Sequence, residues 1–148
     1  SRLPLAAAPI ALGYAWAPAL RGVVETAAGP VGVLGVHPPR PGTGARCHER
    51  DTALAAIPAV VADMPERRIV LGDFNATPWN AAFRALLANT GLRHANGTGF
   101  HPTWHTKLPW PLRIPIDHVM VDGLGVVATE VGASFGSDHA PLLARLSF

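Results

Sequence analysis

A chain of 148 residues that is 49% hydrophobic and only 15% charged has the size and apolar content of one ordinary domain, which excludes a disordered segment. Its net charge of +2 suits a phosphate-bearing partner, but the arginines are scattered rather than striped, so a dedicated basic nucleic-acid module is not indicated. Cys47 is the only cysteine, which excludes an intrachain disulfide and a cysteine-rich zinc site.

Residues Leu3 to Leu20 are apolar but contain Pro4, Pro9, Gly13 and Pro18, a poor pattern for a continuous bilayer helix. They also lack the basic start of a signal peptide. The stretch reads as part of a soluble domain; compartment, and whether a longer parent protein carries a membrane anchor upstream, stay open. Gly22 to Ala27 and Val31 to Val36 are expected as two strands, joined as a hairpin at Ala28-Gly29-Pro30. The proline-rich run from Pro38 to Gly42 cannot extend the second strand, so His37 stands at a strand end, at the mouth of a loop. Cys47 to Asp63 carries Leu54, Ile57 and Val61 at helical spacing, with Pro58 expected to interrupt the helix.

Arg68 to Gly72 reads as a short buried strand, and Asn80 to Asn89 as a helix with Phe83, Leu86 and Leu87 on one side. A loop rich in Gly, Pro and Trp is expected from Gly91 to Ile114. Three strands follow, at Ile116 to Val121, Val126 to Val131 and Pro141 to Leu146. Such alternation favours a layered α/β (α+β) domain.

Three short segments carry chemistry. In Gly72-Asp73-Phe74-Asn75 a strand ends in a carboxylate and a carboxamide two apart. On extended backbone both side chains face one way, where Asp73 can accept a proton from water and Asn75 can steady a phosphate oxygen. The plain alternative is a turn, since Asp, Asn and the following Pro78 are ordinary turn formers. Ile116-Asp117-His118-Val119 places an acid at a strand start, with His118 facing the opposite way and read as structural. Ser137-Asp138-His139 offers an oxygen ligand for a hard cation and a base for neutral pH; a solvent-exposed pair is its plain alternative. Trp104, Trp110 and Phe100 either stack on a base or sugar or pack their loop onto the body. His48, His94, His101 and His105 follow no zinc-ligand spacing.

Taken in order, these segments resemble the endonuclease/exonuclease/phosphatase superfamily, the group of DNase I-like nucleases, abasic-site endonucleases, inositol-polyphosphate phosphatases and sphingomyelinases. Pro102-Thr103-Trp104 and Val33-Leu34-Gly35-Val36-His37-Pro38 fit the same order. The resemblance implies a DNase I-like β-sandwich flanked by helices, and a Mg²⁺-dependent hydrolase (Mn²⁺ as a substitute) acting on a nucleic acid, a phospholipid or a small phosphate ester. It implies Asp73 as the group that orients or deprotonates water, and Asn75 as a phosphate holder. His139 would contact the scissile phosphate with Asp117 fixing its ring, and Asp138 would be the metal ligand. His37 would be the second histidine, and Trp104 a substrate contact.

The superfamily's early Asn and metal-binding Glu have no counterpart here; Glu25 comes too late in the order. The expectation is therefore a single partial domain over 1–148, its C-terminal portion. An uncovered sheet face would then be closed by the missing half, by self-association or by rearranged packing, and activity of the chain alone would be low. Two further readings remain in play: a non-catalytic binding module that retains the fold, and a zinc hydrolase built on His37, His139 and carboxylates. Substrate choice would rest on the loops 38–46 and 98–115.

Overall fold

The computed structural model describes residues 2–14, 18–97 and 99–148. Ser1, residues 15–17 of the expected Leu3 to Leu20 stretch, and Thr98 of the long loop lie outside the described residues. A sheet of six strands runs in the order β1 (Leu5–Ile10), β2 (Ala19–Thr26), β3 (Gly29–Val36), β4 (Arg68–Asp73), β6 (Asp117–Asp122), β5 (Arg93–His94). β3 and β4 are parallel, joined by a crossover through helix α1 (Gly44–Ala62); the other neighbours are antiparallel. Helix α2 (Ala81–Thr90) follows β4, and β7 (Gly125–Val131) pairs with β8 (Leu142–Ser147) as a separate ribbon.

Strand alternation distributes the core to both faces of the sheet. Leu34, Val70 and Met120 point to the side where α1 and α2 pack, meeting Leu54, Ile57, Phe74 and Phe83 in one cluster. Ile69, Leu71, Val119 and Val121 point the other way, onto Val126, Leu142, Ala144 and Leu146 of the β7–β8 ribbon. Helices, sheet and ribbon thus form successive layers, the expected α+β sandwich. Full burial of each large apolar side chain contributes on the order of 1.5–3 kcal/mol.

Both helices begin on side-chain caps. Thr43 Oγ1 accepts from the Arg46 amide and Asn80 Oδ1 from the Phe83 amide. The sequence expectation of a break at Pro58 is not met: α1 runs through it for 19 residues. The ring removes one backbone donor, and the burial of Leu54, Ile57 and Val61 on either side of it outweighs that loss. β1 was not anticipated either. Pro9 lies within it, which is tolerable because β1 is an edge strand. The long loop contains the short β5 and a 3₁₀ turn at Trp110–Leu112. No helix of the described residues is long and apolar enough to cross a membrane.

Candidate active site

Strand register assembles the site. Val36 of β3 is paired with Gly72 of β4, so the residues that follow, His37 and Asp73, emerge side by side. This closeness requires glycine: Gly72 has φ +143°, and a Cβ there would meet the Val36 carbonyl oxygen at 2.0 Å. On the other side of β4, Asp73 stands opposite Asp117 of β6, a cross-strand pair whose side chains share one face. The third segment is delivered by two contacts with the long loop. His139 bridges to Trp104, and the Ala140 amide donates to the Thr103 carbonyl.

The result is a cluster of carboxylates and imidazoles. His139 Nδ1 lies 2.8 Å from Asp117 Oδ2, which directs Nε2 toward Asp73 at 3.8 Å. His37 Nε2 approaches the same Asp73 oxygen at 3.6 Å. The last two distances exceed a direct hydrogen bond and admit a bridging water. Burial pushes the Asp73 carboxyl above its ordinary pKa. The Asn75 amide draws it back down, the Asp117 charge adds to the rise, and His139 and His37 oppose it.

Asn75 does not follow Asp73 on extended backbone. Its φ is +48°, so strand alternation stops at Asp73, and a turn rather than extended backbone brings both residues to the same cleft. The segment is the turn that its composition also allowed: the Asn75 amide donates to Asp73 Oδ1 at 2.8 Å. The Asn75 side-chain nitrogen donates to the Pro38 carbonyl at 3.0 Å, tying the His37 loop to the Asp73 turn.

Asp138 is exposed, and its carboxyl sits below the ordinary range. What little desolvation it feels acts upward, and is outweighed by the Trp104 indole N–H, His139 and His105. The Trp104 ring in turn carries the Arg40 guanidinium 5.3 Å from its centroid.

Around these groups opens a cleft of about 620 Å³ lined by His37, Asp73, Asn75, Trp104, Asp138 and His139. Asp117 lies behind His139 and lines an adjoining hollow instead. The seven residues singled out from the sequence therefore gather in one place. For a metal, the donor atoms of Asp73, Asp117 and His139 lie within 4.8 Å of one another, whereas Asp138, the ligand expected from the resemblance, stands outside that group. Arg40, Arg46 and Arg50, with Glu49 among them, line one wall of the cleft and were not singled out from the sequence. Arg50 is buried, its guanidinium held by Asp51 and by the Asn75 carbonyl at 3.2 Å. Its spacing on the apolar face of α1 with Ala53, Leu54 and Ile57 was the available signal. His118 faces away from the site, as expected, and bonds to His94 and to the Ala76 carbonyl.

A helix-backed β-sandwich that gathers two carboxylates and an imidazole at the ends of its central strands has a phosphoesterase- or nuclease-like fold. The chain belongs to the endonuclease/exonuclease/phosphatase family, whose model matches residues 1–139. It is 41% identical over 81 residues to a UPF0294 protein of Vibrio cholerae, an alignment covering 52% of this chain and 26% of the relative. It is similar in structure to an endonuclease/exonuclease/phosphatase from Beutenbergia cavernae, with TM-score 0.80, 20% identity, and 99% of this chain matched to 46% of that one. It is also similar to a beta toxin mutant of Staphylococcus aureus with bound magnesium ions, with TM-score 0.62, 18% identity, and coverage of 85% and 56%. The chain thus matches between 26% and 56% of the length of these relatives.

Proposed function

We propose that this chain carries the catalytic side chains of a divalent-cation-dependent phosphodiester hydrolase. The observation that supports it is the Asp73 carboxylate set between two imidazoles, one of them backed by Asp117 at 2.8 Å. In this reading Asp73 orients a water and takes its proton as the water oxygen bonds to phosphorus. The bond from phosphorus to the leaving oxygen breaks, and His37, at the open side of the cleft, supplies that oxygen with a proton. His139, its ring fixed by Asp117, contacts the phosphate and disperses its developing charge. A carboxamide has two N–H donors, so Asn75 can hold Pro38 with one and a phosphate oxygen with the other. Trp104 flanks the substrate and steers Asp138.

The donor set fits a divalent cation. Two carboxylates face each other across β4 and β6, and an ion between them would relieve the Asp117 repulsion that adds to the burial-driven rise of Asp73. Oxygen ligands favour Mg²⁺, and the nearby imidazole makes Mn²⁺ a workable substitute. Bound there or on Asp138, the ion would supply charge neutralisation at the phosphoryl oxygens. The metal-binding Glu of the superfamily has no counterpart in this sequence, so cation affinity is expected to be weak and turnover low.

The test is hydrolysis of bis(p-nitrophenyl) phosphate with Mg²⁺, Mn²⁺ or excess EDTA, beside Asp73→Ala. Cation-dependent turnover that disappears in the variant supports the reading. Turnover that survives Asp73→Ala or EDTA removes Asp73 or the cation from the mechanism. A folded chain that binds inorganic phosphate but never turns over points to a binding module.

A further inference from the structure

We propose that one rim of the cleft is a docking surface for an anionic lipid membrane. Trp79, Phe100 and Trp110 are 64%, 41% and 53% exposed, yet their rings touch in sequence. Trp79 lies 6.4 Å from Phe100, and Phe100 meets Trp110 edge-on at 5.5 Å. Leu108 and Leu112, 40% and 65% exposed, extend the same surface. An aromatic and aliphatic patch this open is uncommon on a lone soluble domain and marks an interaction surface. It borders the cleft directly, because Thr77, Asn80 and Ile114, neighbours of these residues in the chain, line the cleft.

The exposure is built in. Residues Lys107, Leu108, Pro109, Trp110, Pro111 and Leu112 are exposed without a break, and the backbone beneath them is stapled from three sides. Arg113 donates to the Leu108 and Thr106 carbonyls at 2.9 Å each. The Leu112 amide bonds to Pro109 at 2.9 Å, and Thr106 bonds through its amide and hydroxyl to the Asp138 and Ser137 carbonyls. A knuckle so braced presents Trp110 and Leu112 outward at little entropic cost to a partner.

Charge selects the partner. The knuckle itself carries Lys107 and Arg113, and from Phe74 to Ile116 the chain contains not one acid. Asp138 touches this loop from the cleft side. Tryptophan and leucine beside lysine and arginine are the composition that settles at a membrane interface, with rings at headgroup depth and cations toward anionic lipid. Bases would stack on separate, open ring faces. Here the rings close on one another, and the tip is aliphatic.

The experiment is co-sedimentation of the full chain with vesicles of phosphatidylcholine alone or with about a quarter phosphatidylglycerol, with tryptophan emission followed in parallel. The readout does not depend on turnover, so it stands or falls apart from the hydrolase reading. Binding to anionic vesicles with a blue shift is expected. It should weaken about tenfold in Trp110→Ser/Leu112→Ser, weaken with salt and in Lys107→Glu, and stay unchanged in Val127→Ser, an exposed apolar control on β7. The altered side chains are exposed, and circular dichroism confirms that each variant is folded. Absence of vesicle binding, full binding by the rim variant, or preference for a single-stranded oligonucleotide or for self-association would each overturn the proposal.

Discussion

Acid should destabilise this protein through two histidines that take no part in the site. His118 Nε2 lies 2.8 Å from the Ala76 carbonyl. A carbonyl only accepts, so the ring carries its proton on Nε2, and Nδ1 must accept from His94 Nε2, 2.8 Å away. Burial lowers His118 to a pKa of about 3; the Ala76 bond opposes this and the His94 charge adds to it. Burial, with the charge of His101, lowers His94 to about 4. Below about pH 6.5 the unfolded chain therefore binds protons that the fold refuses, and stability falls as pH falls toward 4. For His118 the loss between pH 7 and pH 5 is about 2 kcal/mol, and the partly exposed His94 adds a smaller share. Urea unfolding at pH 7, 6 and 5 should show the native chain losing roughly 2–3 kcal/mol more than His94→Gln/His118→Gln over that range. The variant will start out less stable, because a buried bond to Ala76 is weakened. Parallel stability curves for the two proteins would refute the assignment of neutral, linked rings.

Gly72→Ala should destabilise the fold by several kcal/mol, on the order of 3 or more, because the new Cβ would overlap the Val36 carbonyl; a thermal melt within a few degrees of the parent's would contradict this. Asp117→Asn removes a charge-assisted bond worth about 1.5–3 kcal/mol to His139, so kcat should fall roughly 10- to 150-fold with KM little changed. Steady-state kinetics on the bis-ester checks it, and a kcat within twofold of the parent would show that Asp117 does not position the ring. Trp104→Phe keeps a ring under Arg40 but deletes the indole donor to Asp138. The Mg²⁺ concentration for half-maximal activity should rise several-fold, and an unchanged titration would free Asp138 from a role in binding the ion.

The elements readable from sequence are those with uninterrupted apolar pattern. Ile69-Val70-Leu71 and the spacing of Leu54, Ile57 and Val61 fixed β4 and α1, and the three acid-bearing segments are ones that the fold brings together as the candidate site. What sequence concealed depends on conformation or on distant partners. Pro9 disguised β1, since periodicity cannot tell an edge strand that tolerates proline from a loop. The positive φ of Asn75 was legible only as the turn that its composition allowed, so the residue was assigned to extended backbone although it does reach the cleft. The metal-competent grouping of Asp73, Asp117 and His139 comes from register between β4 and β6, a long-range fact, whereas the assignment of Asp138 as a ligand came from the resemblance. Arg50 escaped notice because a cation on the apolar face of a helix becomes meaningful only when its partner, the Asn75 carbonyl, is in view.

The central claim is that water activated at Asp73 attacks phosphorus, and isotope-labelled water tests it most directly. Hydrolysis of bis(p-nitrophenyl) phosphate in ¹⁸O-water with Mn²⁺ should put the label in the p-nitrophenyl phosphate product, and Asp73→Ala should reduce labelled product to the uncatalysed background. Label in the released phenol, or labelled phosphate formed equally well by Asp73→Ala, would contradict the account.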